Sequence, residues 1–192
     1  MESAVIDESE LVERARRGDA PSFGMLVERH QEVAFRAAYL VTRDAHAAED
    51  VAQESFVRAY RHLDSFRQGD AFRPWLLRIV QNLALNEIRS RGRRTGLAAR
   101  VGMFARRSEA PPHAEVVAAD DASLLLRAID ELPPDDRRVL HLRYYLELPE
   151  REIAAAIGKA PGTVKSRLHR ASARLRDVIE QRYPQLRERD DG

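Results

Sequence analysis

Apolar residues recur along this chain at intervals of three and four positions, the spacing that places side chains on one face of an α-helix. The strict alternation of apolar and polar residues that is typical of strands is nearly absent. Eight helices are predicted, over about 9–17, 21–39, 45–63, 74–91, 122–132, 134–146, 150–157 and 161–181. The pattern therefore predicts an all-α protein.

The first four predicted helices carry an apolar face each, and Asp19 and Asp44 stand where they can cap the second and third of them. The residues predicted to face inward are Leu11, Val12, Ala15, Phe23, Leu26, Val27, Val33, Ala34, Ala37, Val51, Phe56, Ala59, Tyr60, Leu63, Trp75, Leu76, Ile79, Val80, Leu83 and Ile88. Four helices with such faces are enough to build one small domain.

The helical pattern ends after Gly92, and residues up to Asp121 form a basic patch, the Pro111-Pro112 pair and a run of small residues. Such a composition is typical of a linker. The sequence thus predicts two small helical domains, 1–94 and 122–192, joined by a flexible linker over 95–121.

The composition of the chain argues against several classes of function. The 192 residues include no cysteine, which excludes disulfides and thiolate metal sites, and the six histidines show no ligand spacing. We expect no metal, no cofactor and no catalytic site. Because no apolar run approaches the roughly 20 residues that span a bilayer, and the acidic first ten residues do not resemble a signal peptide, we expect no membrane insertion and a cytoplasmic protein.

The net charge of +1 conceals an alternation of charge along the chain. Basic and acidic residues number 7 and 12 over 1–60 (net −5), 11 and 3 over 61–107 (net +8), 6 and 11 over 108–160 (net −5), and 8 and 5 over 161–192 (net +3). Two basic segments separated by acidic ones indicate two nucleic-acid contacts, or else two solvated helix faces.

Residues 149–176 have the layout of a helix-turn-helix. Small residues at Ala154, Ala155 and Ala156 suit a close helix crossing, and Gly158 suits the stop of the first helix. In the second helix a predicted buried stripe, Val164, Leu168, Ala171, Leu175 and Val178, turns a polar set outward: Thr163, Lys165, Ser166, Arg167, His169 and Arg170. This set is suited to the major groove of DNA, although a bundle helix with a basic solvent face has the same pattern.

The segment GTVKSRLHRA at 162–171 resembles the recognition helix of region four in sigma-70 family factors of the extracytoplasmic-function (ECF) group. IDELPP at 129–134, the segment 138–144 and EIA at 152–154 are similar to the rest of that region. The resemblance implies that this domain reads the upstream (minus-thirty-five) promoter element and touches the polymerase flap. Taken alone, it leaves a response-regulator output domain open.

The first domain resembles region two of the same family, through DAHAAEDVAQESF at 44–56 and FRPWLLRIVQN at 72–82. Both regions occur in the family's order and cover about 11–94 and 124–176. This resemblance implies a sigma factor that binds core RNA polymerase and promoter DNA, with an anti-sigma factor as a further expected partner.

The family match also implies roles for individual residues. Asp50, Gln53 and Glu54 would dock on the polymerase clamp helices, whereas by their polarity alone they would be a solvated face. The downstream (minus-ten) element, captured as a single strand, would be contacted by Ser65, Phe66, Arg67, Gln68, Gly69, Asp70, Ala71, Arg78, Asn82, Arg89, Arg91 and Arg93. Trp75 is expected in the core.

Two other functions remain possible from the sequence. A stand-alone helix-turn-helix regulator would bind duplex DNA through the second domain without joining polymerase. An enzyme is suggested only by the Gly158-Lys159 pair, but a phosphate-binding loop needs glycine where Ile153 stands and Ser or Thr where Ala160 stands. The family pattern itself is broken at Glu87, Ala160 and Ser172, where aspartate, a capping serine and a basic residue are usual.

Overall fold

The structure, a computed structural model, describes residues 6–67, 69–101 and 119–186, without the side chains of 94–101 and 119–123. Within these ranges every regular element is helical, as the spacing of apolar residues predicts. The chain divides into two compact units, Met1–Pro111 and Pro112–Gly192. The division falls inside the predicted linker, whose residues 102–118 lie outside the described part.

Four helices build the first unit: α1 (Glu8–Arg16), α2 (Ala20–Thr42), α3 (Ala45–Arg61) and α4 (Phe72–Val101), with a 3₁₀ turn at Leu63–Ser65. Helix α2 packs against α1, α3 and α4, and α3 also packs against α4. The buried apolar side chains on the facing sides include Leu11, Leu26, Ala34, Ala37, Ala59, Leu76, Leu77, Val80 and Ala84. Helix α2 is therefore the centre of this unit.

An aromatic cluster closes one end of this core. Phe66 and Phe72 are buried, and the ring of Trp75 lies 5.2 Å from that of Phe66. The His30 ring lies 5.3 Å from Phe72, and its Nε2 is 2.8 Å from Glu8 Oε2. The hydrogen bond to His30 holds the pKa of Glu8 below its usual value. These contacts fix α1 and the start of α4 to α2.

Several residues predicted to face inward are less buried than expected. The prediction is wrong for Tyr60 and Ile88, which are 44% and 41% exposed. Tyr60 lies at the margin of the apolar face of α3, where it packs edge-on against Phe23 at 4.9 Å. Phe23, Val27 and Val33 are half-buried. Periodicity identifies the inward face of a helix, but it does not show how far the neighbouring helices cover that face.

The two predicted caps behave differently. The Asp44 carboxylate accepts a hydrogen bond from the Ala47 N–H at 2.9 Å and so caps α3, as predicted. Asp19 precedes α2 but accepts from the Ser22 hydroxyl, at 2.5 Å, instead of from a backbone N–H. Between α2 and α3 the backbone reverses at Arg43, whose φ of 53° is left-handed. Asp44 therefore fixes the position at which α3 begins.

Replacing Asp44 should destabilise the first unit, and Asp44→Ala should cost about 1 kcal/mol because the cap is lost. Asp44→Asn keeps a capping oxygen and should cost less. The hydrogen bond from Ala47, aided by Arg91, lowers the pKa of Asp44. The stabilisation is therefore fully present above the unfolded pKa and is lost as pH falls through the folded pKa.

Denaturation followed by tryptophan fluorescence measures this effect, because Trp75 is the sole tryptophan and lies in the first unit. The wild type should lose stability on acidification more steeply than Asp44→Asn does. Equal pH dependence of the two proteins would contradict the role given to the carboxylate.

Helix α4 is longer than predicted at both ends. It begins at Phe72 and continues to Val101, whereas the apolar pattern predicts residues 74–91. The prediction ends the helix near Gly92, yet the backbone stays helical there. A glycine inside a helix costs only about 1 kcal/mol relative to alanine, which neighbouring helical residues tolerate. Residues 95–101 of the predicted linker therefore continue the helix.

The second unit contains α5 (Ala119–Asp130), α6 (Pro134–Leu140), α7 (Glu150–Ile157) and α8 (Pro161–Arg182), with a 3₁₀ turn at Pro184–Leu186. Helix α8 packs against α5, α6 and α7. The helix predicted over 134–146 ends as an α-helix at Leu140 and continues as a π-helical turn, His141–Tyr145. Glu147, with a φ of 53°, then reverses the chain toward α7.

Candidate nucleic-acid interface

Helices α7 and α8 form the predicted helix-turn-helix within the second unit. Ile153, Ala154 and Ala156 are buried in α7, but Ala155 is exposed, so only two of the three small residues lie at the crossing. Gly158 ends α7 with a left-handed φ of 66°, and the Lys159 N–H donates to the Ala154 carbonyl at 3.0 Å. The turn that places α8 therefore depends on a residue that adopts positive φ without strain.

Helix α8 starts without a side-chain cap. The side chain of Ala160 has no oxygen that could accept a hydrogen bond. The backbone N–H groups of Thr163 and Val164 donate to the Ala160 carbonyl instead, at 3.0 and 3.2 Å. Pro161 occupies the first turn, where its fixed φ favours a helix. Val164, Leu168 and Ala171 are buried as predicted, while Leu175 and Val178 are half-buried.

The outward set of α8 is close to the predicted one. Thr163, Lys165, Ser166, His169 and Arg170 are exposed. The Ser166 hydroxyl donates to the Thr163 carbonyl at 3.1 Å, and Arg170 Nε donates to the Ser166 carbonyl at 3.3 Å. This face presents hydroxyl, imidazole and cationic donors along two turns of one helix, the arrangement that suits base edges and phosphates in a groove.

Arg167 differs from the rest of the predicted set, because it is half-buried and held by α6. Its Nη1 donates to Asp135 Oδ2 at 2.9 Å and lies 3.5 Å from Asp136 Oδ1. The Asp136 side chain is only 5% exposed and also accepts a hydrogen bond from Arg174. Nothing in the local sequence indicates this arrangement, because the two acids lie on a different helix, before the turn and α7.

On α4 the predicted residues divide into two groups. Arg78, Asn82, Arg89 and Arg93 are all exposed, and at about 100° per residue they fall within an arc of roughly 60° around the helix. Arg91 is on the opposite side of α4 from this arc. The exposed four make a polar stripe, named here the α4 stripe, along about four turns of the helix.

Arg91 is held within the first unit. Its Nη1 donates to Asp44 Oδ2 at 2.9 Å and its Nε to Glu87 Oε1 at 2.8 Å. The hydrogen bond to Asp44, with that to Glu87, raises the pKa of Arg91. Its guanidinium therefore joins α4 to the start of α3, a structural position that its predicted role as a phosphate contact does not require.

The predicted loop over 65–71 is only partly at the surface. Phe66 is 6% exposed and belongs to the aromatic cluster, so its ring is not presented to a ligand. Ser65, Arg67, Gly69, Asp70 and Ala71 are exposed, and Gln68 lies outside the described residues. Gly69 has a φ of 90°, a backbone conformation that would be strained in a residue with a side chain. The buried ring of Phe66 anchors the loop beside the start of α4.

Asp50, Gln53 and Glu54 are exposed on α3, as predicted. Asp50 and Glu54 border a groove of about 540 Å³ whose other side is formed by α4. Glu54 accepts from Arg58 Nε at 2.7 Å. Val57, one turn further along this face, is 43% exposed. The acidic face, defined as Asp50, Gln53 and Glu54, thus continues into an exposed apolar side chain, which suits a protein partner better than DNA.

Across the part of the chain that the structure describes, no group of three or more acidic or histidine side chains is placed to hold a metal ion. The helices of that part include none that is long and apolar enough to span a bilayer.

Comparison with known proteins agrees with this geometry. A family model described as Sigma-70 region 2 matches residues 26–94, and one described as Sigma-70, region 4 matches residues 122–175. The chain is 34% identical to the RNA polymerase sigma-H factor of Pseudomonas aeruginosa, over 94% of this chain and 96% of that protein. The chain belongs to the sigma-70 family. As a sigma factor, it directs the initiation of transcription from specific promoters.

A further relative places this sigma factor in the ECF group. It is 36% identical to the ECF RNA polymerase sigma-E factor of Salmonella typhimurium, over 88% of this chain and 93% of that protein. Its fold matches the sigma factor RpoE in a complex with the anti-sigma factor NepR from Bartonella quintana. That match has a TM-score of 0.65 and 26% identity, and it covers 82% of this chain and 96% of that one. Sigma factors are not enzymes. Residues of both units match the family. A stand-alone helix-turn-helix regulator, which would use the second unit alone, does not account for the match in the first unit.

Proposed function

We propose that this sigma factor reads two promoter elements with two separate helices, the upstream element with α8 and the downstream element with the α4 stripe. The observation that carries the proposal is that both helices present exposed cationic residues, Lys165 and Arg170 on the outward side of α8 and Arg78, Arg89 and Arg93 on one face of α4. Most of each helix lies in a segment that matches a different sigma region.

At the upstream element, α8 is proposed to lie in the major groove of duplex DNA. Lys165 and Arg170 are exposed cations, about one and a half turns apart on the helix. Such groups read guanine edges or hold phosphates. Thr163 and Ser166 supply shorter donors on the same part of the helix. Sequence preference would then come from base contacts, and affinity from phosphate contacts.

At the downstream element, the α4 stripe is proposed to hold a melted strand. A melted base offers a free pairing edge and a free ring face, which an amide and a neighbouring loop can bind. Asn82 lies within the stripe between Arg78 and Arg89, so phosphate contacts are available on either side of it. The exposed residues of the 65–71 loop would line the same site.

The acidic face of α3 is proposed to dock on the clamp helices of core polymerase, with a second contact between the other unit and the flap. An anti-sigma protein is a further proposed partner, since a structural relative is described in complex with one. A protein that acts on polymerase is expected in the cytoplasm, and we propose no catalytic site and no cofactor. The proposed domains remain 1–94 and 122–192.

Transcription in vitro with reconstituted holoenzyme tests the reading of the upstream element. A promoter library carrying a randomised upstream window is transcribed, and the transcripts are sequenced to obtain the base preference at each position. Lys165→Ala with Arg170→Ala should reduce the preference at one or more positions by about tenfold, because a base contact provides discrimination of that order. Binding to core polymerase should not change.

The matched control is Arg127→Ala with Arg182→Ala, which removes the same charge from the second unit, at an exposed position on α5 and at the other end of α8. Residues 165 and 182 are separated by about 25 Å along the helix. An unchanged base preference in the α8 variant, or an equal loss in the control, would exclude α8 as the reader.

A further inference from the structure

Two acids on α6, Asp135 and Asp136, join that helix to two arginines on α8, Arg167 and Arg174, and the two acids differ in burial. Asp136 is buried and accepts from Arg174, whereas the Asp135 side chain is 73% exposed and accepts from Arg167 at 2.9 Å. Arg167 also lies 3.5 Å from Asp136, so both carboxylates share its guanidinium. A carboxylate as buried as Asp136 requires charged partners, and Arg174 together with Arg167 supplies them.

The geometry at Arg167 leaves part of its guanidinium available. Both acidic partners are reached through Nη1. Within the described residues, neither Nε nor Nη2 of Arg167 has a hydrogen-bond partner. These two donors form one edge of the planar group, and such an edge can pair with guanine O6 and N7 or with a phosphate.

We propose that Asp135 and Asp136 are positioning residues for promoter recognition, which hold Arg167 by Nη1 so that its Nε and Nη2 edge is presented to a base. This inference rests on the proposed reading of the upstream element by α8. Arginine has many rotamers, and a side chain already held in its binding conformation loses less entropy when it binds. The two acids would thus increase discrimination without touching DNA.

The same two acids oppose binding to DNA in general, because each adds a negative charge near the phosphates. Their removal should therefore have effects of opposite sign. Discrimination between bases should fall, since Arg167 becomes free to adopt other conformations, while affinity for any duplex should rise. A purely structural role would lower both quantities together, through loss of folded protein.

The experiment uses the full chain with Asp135→Asn and, separately, Asp136→Asn. Base preference is measured with the randomised promoter library and reconstituted holoenzyme, and general affinity with poly(dI·dC) duplex and the free chain. Asp177→Asn is the matched control, because it removes the same charge from an exposed position on α8. Asp135→Asn should not threaten folding, since that side chain is exposed.

We expect Asp135→Asn and Asp136→Asn each to reduce the preference for one base in the upstream window by about tenfold, the discrimination that one bidentate contact provides. Both should bind poly(dI·dC) more tightly than Asp177→Asn does. In an Arg167→Ala background, Asp135→Asn should no longer change the base preference, because the acid acts through that arginine.

Three results would overturn the inference. The first is an unchanged base preference in Asp135→Asn. The second is tighter binding to every sequence with the preference retained, which would mean that the acids only compete with DNA. The third is an effect of Asp135→Asn that persists without Arg167. If wild-type holoenzyme itself shows no preference in the upstream window, the proposed function fails first. If Asp136→Asn does not fold, Asp135→Asn decides.

Discussion

Charge reversal of the acidic face, by Asp50→Arg with Glu54→Arg, is expected to abolish assembly with core polymerase. Both side chains are exposed, lie one turn apart on α3 and border the groove toward α4. If their partner surface is basic, the variant brings like charges together at the interface, which costs several kcal/mol, or a reduction of at least about 100-fold in affinity. Titration of labelled core polymerase measures this reduction directly.

The control for this variant is Glu28→Arg with Glu32→Arg, on α2. It changes the net charge by the same amount, at exposed positions with the same spacing, on a neighbouring helix of the same unit. Fluorescence of Trp75 verifies that both proteins fold. Equal binding by the two variants would mean that α3 is not the docking surface.

Neutralising the α4 stripe, by Arg78→Ala, Arg89→Ala and Arg93→Ala together, is expected to prevent promoter opening while leaving assembly with polymerase intact. All three arginines are exposed on one face. Removing one phosphate-binding arginine should reduce the slope of log affinity against log salt by about 0.7 to 0.9, so the triple variant should reduce it by about two. Permanganate reactivity of thymines in the downstream element reports opening.

Arg91→Ala is the comparison for the stripe variant, because Arg91 lies on the opposite side of α4. Because Arg91 is bound to Asp44 and Glu87, this variant should lower the stability of the first unit and change the salt slope little. If Arg91→Ala reduced opening as much as the stripe variant while the unit stayed equally stable, the division of α4 into two sides would be wrong.

The sequence predicts much of this fold because helix stops and apolar periodicity are local properties. The bounds of α7 and the start of α8 agree with the prediction, since Gly158 and Pro161 determine them within a few residues. The prediction makes α4 too short because it treats Gly92 as a stop, although glycine ends a helix only where the chain turns. Local composition does not show whether it will turn.

The candidate sites required information that the sequence does not contain. The family resemblance assigns Phe66 to a DNA-binding loop, but its ring packs against Phe72 and Trp75. Composition groups Arg91 with the other arginines of one basic segment, although Asp44, on another element, holds it. No sequence pattern singles out Asp136. Each of these residues depends on a tertiary interaction that no spacing rule predicts.

The shared guanidinium of Arg167 has a consequence for how promoter preference would change in descendants of this protein. A substitution at Arg167 alone leaves Asp136 with Arg174 as its one described cation, so a new preference would arrive together with a decrease in stability. Substitution of Asp135 first leaves the ion pair between Asp136 and Arg174 intact and removes one of the two carboxylates that hold Arg167. With α8 reading the upstream element as proposed, we expect a change of promoter preference to begin on α6, through a variant of relaxed preference, before any residue of α8 is exchanged.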